Sequence, residues 1–141
     1  MSNISKFILK FSLTFFIFSY LNAATINKIV IDGNKRVSDE TIKVYGEIKL
    51  NENIDENKLN KILNNLYSTD FFEDINIKEV NGVLNITVKE YPLVNQLILN
   101  GESSSRIRDE IKKQISTKAK RSFIKSSISN DVNLIKQLYS S

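Results

Sequence analysis

The chain has 141 residues, 41% hydrophobic and 26% charged, with a formal net charge of +4; that balance suits a packed protein and argues against disorder. It contains no cysteine and no histidine, which excludes disulfides, thiolate catalysis, imidazole acid–base chemistry and Cys/His zinc sites. Residues 25–90 carry 9 basic and 12 acidic side chains and residues 102–141 carry 9 and 4, and the small overall excess is too weak to imply a nucleic-acid binder.

Residues 1–24 read as an export signal. Lys6 gives a positive start, Phe7 to Leu21 is mostly apolar and carries one charge, Lys10, and Asn22-Ala23-Ala24 supplies small residues for cleavage. From Phe11 the unbroken apolar run is about 11 residues, short of the ~20 that cross a bilayer. The alternative is an uncleaved anchor beginning at Phe7; the length and the Ala-Ala pair favour cleavage.

Ile26 to Asp32 is a β-branched run closed by Gly33-Asn34, and reads as a strand apolar on both faces. Ser38 is the expected N-cap of a short helix, with Asp39 and Glu40 in its first turn, Ile42 and Tyr45 on its apolar side and Gly46 at its end. Asp55 caps a second helix, with Ile54 and Leu59 at the spacing of a hydrophobic staple. Leu59, Ile62, Leu63, Leu66 and Tyr67 form one face of it.

Asn81-Gly82 is the favoured pair for a two-residue type I′ turn. That turn sets Val80 opposite Val83, Ile77 opposite Ile86 and Ile75 opposite Val88. The aliphatic residues of both strands, Leu84 included, then share one face. The order strand, helix, helix, strand, strand predicts a two-layer α+β unit, a sheet covered by two helices.

After Tyr91-Pro92 the pattern restarts. Val94-Asn95-Gln96-Leu97-Ile98-Leu99-Asn100-Gly101 repeats Ile26-Asn27-Lys28-Ile29-Val30-Ile31-Asp32-Gly33 at an offset of 68, and Leu138-Tyr139-Ser140-Ser141 repeats Leu66-Tyr67-Ser68-Thr69 at an offset of 72. Ile107, Ile111 and Ile115 mark the second copy's first helix; Val132, Ile135 and Leu138 mark its second. The expected organisation is a signal peptide (1–24), one complete module (25–91), and a partial second module (92–141) holding a strand and two helices. With little sheet to cover them, the second copy's apolar helix faces are expected to be poorly ordered in isolation or to associate with other chains.

At these residues the chain resembles the POTRA modules of the BamA family of outer-membrane-protein assembly factors. The resemblance rests on Gly33-Asn34-Lys35-Arg36-Val37 after the first strand, on Leu66-Tyr67-Ser68-Thr69 before Phe72-Glu73-Asp74-Ile75, and on the exit Val88-Lys89-Glu90-Tyr91-Pro92 leading into Asn100-Gly101. Asp70 stands where that family usually has Gly, in a turn that favours a left-handed residue. The resemblance implies tandem β-α-α-β-β modules, each a three-stranded sheet under two helices, on the periplasmic side of the outer membrane. It implies unfolded outer-membrane β-barrel precursors and accessory lipoproteins as partners, no catalytic residue, no metal and no cofactor.

The resemblance also implies that the last strand lies mid-sheet and that the second is an open edge to which an extended client adds a strand. Here that edge is Phe72, Glu73, Asp74, Ile75, Asn76, Ile77 and Lys78. The alternative is an ordinary edge whose charges discourage aggregation. Phe71 and Phe72 are either a client-binding pair or core, and the strand's inward parity includes Phe71. The basic stretch Lys118-Ala119-Lys120-Arg121 is a solvated loop or a contact for anionic lipid or nucleic acid. Competing functions are a cell-division protein of the FtsQ type, against which the tandem repeat and Ala-Ala pair argue, and a related secretion or translocation pore.

Overall fold

The computed structural model describes residues 24–140; the expected export signal lies, but for Ala24, outside them. In chain order the described elements are β1 (Ala24–Thr25), β2 (Lys28–Asp32), α1 (Asp39–Tyr45), β3 (Asn53–Ile54), α2 (Glu56–Tyr67), β4 (Phe72–Val80), β5 (Val83–Glu90), α3 (Ser105–Gln114) and α4 (Lys125–Ser140).

Local chemistry sets the helix starts. The Ser38 hydroxyl accepts the Thr41 N–H and the Asp55 carboxylate accepts the Lys58 N–H at 2.7 Å, each satisfying one orphan donor of a first turn. Gly46 does stand at the end of α1, but with an ordinary right-handed φ of −70°. The left-handed turn falls on Glu47, at φ 52°. Gly46 is small for packing reasons, since a β-carbon there would sit 2.8 Å from the Ile48 side chain.

The main sheet runs β2-β5-β4. Asn81 and Gly82 both have positive φ, as a type I′ turn requires. The hairpin pairs Val80 with Val83, Ile77 with Ile86 and Ile75 with Val88, the register the turn dictates. Leu84, Ile86 and Val88 are consequently buried against the helices, together with Ile42, Ile62 and Leu66. Each such side chain contributes roughly 1.5–3 kcal/mol of apolar burial. β2 lies parallel to β5 on its other side. Of the run expected over 26–32, β2 takes Lys28–Asp32; the short strand β1 precedes that run and pairs with β3 in a small antiparallel sheet, and the chain crosses to the main sheet at the buried Ile26.

One expectation is corrected. The register shifts between Phe72 and Asp74. The extra residue of this bulge reverses the parity of the strand's start. Phe72, not Phe71, is the core aromatic; Phe71 is half-buried and stacks edge-on against both Tyr45 and Phe72, with centroids 5.8 and 6.1 Å apart.

Residues 92–140 repeat the backbone plan of the first half. Ile26 donates its N–H to the Glu52 carbonyl and accepts from Asn51; Val94 donates to Arg121 and accepts from Lys120. Thr25 faces Asn53 in β1–β3, and Leu93 faces Ser122 in an isolated bridge. Asn51 and Lys120 are both left-handed, at φ 60° and 64°, as are Gly33 and Gly101, at 88° and 91°. The strand expected over 94–101 does not form. A strand needs a ladder partner, and no strand among the described residues pairs with 95–100.

In that half Asp131 is the main polar anchor. Its carboxylate accepts the Ser116 N–H and hydroxyl at 2.7 and 2.9 Å and the Thr117 N–H at 2.8 Å. Burial alone would raise the Asp131 pKa, but these Thr117 and Ser116 donors outweigh it and hold the group at about 2. A carboxylate depressed in the folded state stabilises above its unfolded pKa and loses that contribution as pH falls through the folded value. Asp131→Asn should therefore cost on the order of 2 kcal/mol at neutral pH, and the wild-type advantage should fade as pH approaches 2. Amide exchange of residues 116–131 against pH checks both.

Candidate polypeptide-binding edge

Strand β4 is at the edge of the main sheet and β5 is in its centre. Alternate residues of an antiparallel pair exchange both main-chain hydrogen bonds. The two-residue turn makes Val80–Val83 such a pair, so Lys78 and Asn76 also bond to β5. Ile75, Ile77 and Glu79 then turn their N–H and C=O groups away from it. The Ile75 N–H is already engaged, donating to the Tyr67 hydroxyl at 3.2 Å. Ile77 and Glu79 are left as the outward-facing main-chain positions.

Beside this edge runs a groove of about 320 Å³ between α2 and β4. Leu59, Leu63, Ile75 and Ile77 give it apolar walls, and Glu56, Asn60 and Asn76 lie at its polar positions. A strand laid along β4 directs every second side chain toward that groove.

The seven sequence-predicted edge residues are not equivalent. Phe72 is 1% exposed and Ile75 7%, and Ile77 is half-buried; these three hold the strand on the core. Glu73, Asp74, Asn76 and Lys78 are exposed. Glu73 is paired with Lys89 at 2.8 Å; this exposed pair adds little stability.

Two functional features were not readable in advance. One is the Tyr67 hydroxyl, which sequence periodicity assigns only to the apolar face of α2. The other is Glu90, which ends β5. Its Oε1 accepts the N–H groups of Lys35, Arg36 and Val37 at 2.8, 2.9 and 3.0 Å, and Arg36 Nε lies 3.0 Å from Oε2. Arg36 also donates to the Tyr91 carbonyl, so the loop after β2 is fastened to the module's exit. Burial pushes the Glu90 pKa up, but the three N–H donors and the Arg36 charge more than offset it, leaving it below the ordinary carboxylate value.

Among the described residues no group of His, Cys, Asp or Glu is placed to hold a metal ion. No helix among them is long and apolar enough to cross a membrane, which says nothing of a β-barrel.

Residues 24–91 match the POTRA family, described as a surface antigen variable number repeat. The chain is 30% identical over 91 residues to an outer membrane protein assembly factor BamA of Neisseria meningitidis, covering 64% of this chain and 11% of that protein. It is 24% identical over 86 residues to a BamA of Neorickettsia risticii, covering 61% and 12%. The chain thus spans about a tenth of the length of these curated relatives. In fold it is similar to the N-terminal domain of Omp85 from Thermosynechococcus elongatus, with a TM-score of 0.55, 14% identity and coverage of 83% of this chain and 51% of the other. It is also similar to POTRA1-2 of the periplasmic domain of Omp85 from Anabaena, with a TM-score of 0.51, 11% identity and coverage of 82% and 78%. Residues 24–91 thus match the POTRA family model, and the chain is similar in sequence to curated BamA proteins and in fold to solved periplasmic regions of Omp85.

Proposed function

We propose that this chain is an exported, polypeptide-binding POTRA region on the periplasmic face of the outer membrane, working in β-barrel assembly. Its partners are unfolded outer-membrane barrel precursors and periplasmic assembly lipoproteins. Residues 25–91 are its first module, and residues 92–141 contribute the first-strand text and two helices of a second. Clients are received by strand addition at Phe72, Glu73, Asp74, Ile75, Asn76, Ile77 and Lys78.

One observation carries the reading: the edge strand β4 has outward main-chain groups at Ile77 and Glu79, directly beside an apolar groove. Main-chain pairing is indifferent to most side chains, and alternate pockets add selectivity for strands of period two. Barrel precursors consist of such strands.

The test is Ile77→Pro. Proline deletes an N–H that points away from β5, so the hairpin ladder is spared while the edge loses a donor and gains a steric block. Affinity for a synthetic peptide with the alternating pattern of a membrane-barrel strand should fall about tenfold, or ~1.4 kcal/mol. Unchanged affinity, in a variant whose amide dispersion shows it folded, contradicts strand addition here.

A further inference from the structure

A cleft of about 510 Å³ lies between the two halves of the chain. Arg36, Thr69, Asp70 and Phe71 form its first-half wall; Leu93 and residues between 116 and 127 form the other. It shares no residue with the groove beside β4. None of residues 94–115 lines it, so it lies apart from positions 96–100, the counterparts of the residues by which β2 pairs with the hairpin.

The charge of this cleft is one-sided. Lys118, Lys120 and Arg121 come from one loop and Arg36 from the facing wall, against a single carboxylate, Asp70. Arg36 is already paired with Glu90, and Lys118 Nζ donates to the Lys112 and Lys113 carbonyls at the end of α3. Lys120 and Arg121 are exposed and, among the described residues, belong to no ion pair. Their backbone is nonetheless fixed. Lys120 donates its N–H to the Val94 carbonyl at 2.7 Å, Arg121 accepts the Val94 N–H at 2.8 Å, and Asp131 holds Ser116 and Thr117. A loop already in place spares part of the ordering cost of binding. Ser122 and Ser127 add half-buried hydroxyls to the same wall.

We propose that this cleft binds a phosphate-bearing anion, a lipid headgroup or a free phosphate ester, with Lys120 and Arg121 as its charge partners and Ser122 and Ser127 as hydroxyl donors. Cationic and hydroxyl donors around a small cleft match the several acceptor oxygens of a phosphate, more than one carboxylate offers. Lys118 and Arg36, engaged by protein groups, add field without direct bonds. A nucleic-acid strand would need a basic track several phosphates long, whereas here the free cations are two neighbouring residues. Because the walls belong to different halves, a bound anion also restrains the angle between them. The site is independent of strand addition at β4.

The experiment titrates the full chain with inorganic phosphate and with glycerol phosphate at constant ionic strength, following residue-resolved amide shifts. Saturable shifts should centre on Thr69, Asp70, residues 120–122 and Ser127. Lys120→Gln with Arg121→Gln removes the two charge-assisted partners and should weaken binding about tenfold or more. Lys28→Gln with Lys43→Gln removes the same charge from a different groove, beside β2, and should change affinity by no more than about twofold. Asp70→Asn keeps a residue that accepts the left-handed φ of 57° and removes the one opposing charge, so it should tighten binding. Vesicles then separate the sources. If phosphatidylglycerol in phosphatidylcholine displaces glycerol phosphate while phosphatidylcholine alone does not, the ligand is a headgroup; if neither does, it is a free phosphate ester. Absence of saturable shifts overturns the proposal. So does equal weakening by the two lysine-containing double variants, weaker binding in Asp70→Asn, or saturation of the cleft by an acidic peptide or an oligonucleotide where phosphate has no effect.

Discussion

Gly33→Ala is expected to unfold residues 24–91, whereas Gly101→Ala is expected to leave them intact. The added β-carbon at Gly33 would sit 2.1 Å from the Val88 oxygen, a backbone atom of the central strand, so relief requires moving the sheet. The left-handed φ of 88° adds strain of its own. Together these place the cost above about 4 kcal/mol, in the range reserved for a few severe mechanisms. At Gly101 the φ is nearly the same, 91°, but the space is open. Only the conformational strain remains, roughly 1–2 kcal/mol, and it falls outside the matched domain. Denaturant unfolding of the two variants, followed by circular dichroism, separates them. Similar midpoints would mean that the close approach of Gly33 to β5 is not maintained in solution.

Glu90→Ala is the second large effect. Its side chain is 7% exposed and holds three N–H donors and Arg36. Truncation leaves those donors and a guanidinium without their acceptor, at a cost of about 3 kcal/mol. Glu90→Gln keeps an acceptor oxygen but not the charge, and should cost less. The pH dependence has a definite sign. The folded-state pKa is depressed, so the stabilisation is complete above the ordinary Glu value and is lost as pH falls through the lower folded value. Wild type should therefore lose its advantage over Glu90→Ala in acid. An equal stability gap at neutral and strongly acidic pH would show that the carboxylate is not what fastens the loop.

Much of the first domain is legible in the residues because its signals are local. Asn81-Gly82 sets the hairpin register through turn geometry alone, and that register sends Leu84, Ile86 and Val88 inward. Ser38 and Asp55 announce their helices within one turn. What escapes sequence reading is not local. The bulge at Glu73 inserts one residue without a compositional mark, so the parity of Phe71 and Phe72 is misread. The Glu90 lock joins residues 53 to 55 positions apart, and nothing near Glu90 announces it. Residues 94–101 show the converse: their side-chain pattern is that of a strand, but pattern does not supply a ladder partner.

The edge was legible as a segment but not atom by atom. That Ile77 and Glu79 face outward follows only from the observed pairing with β5, and the engagement of Ile75 by Tyr67 only from the three-dimensional contact.

That alternation allows the most direct measurement. Amide exchange of the full chain would be followed residue by residue while an extended peptide of alternating apolar and polar residues is added. Strand addition predicts that the Ile77 and Glu79 amides slow at least tenfold, while Asn76 and Lys78, already bonded to β5, change little. Protection spread evenly over β4, or absent from Ile77 and Glu79 at saturation, would contradict the account.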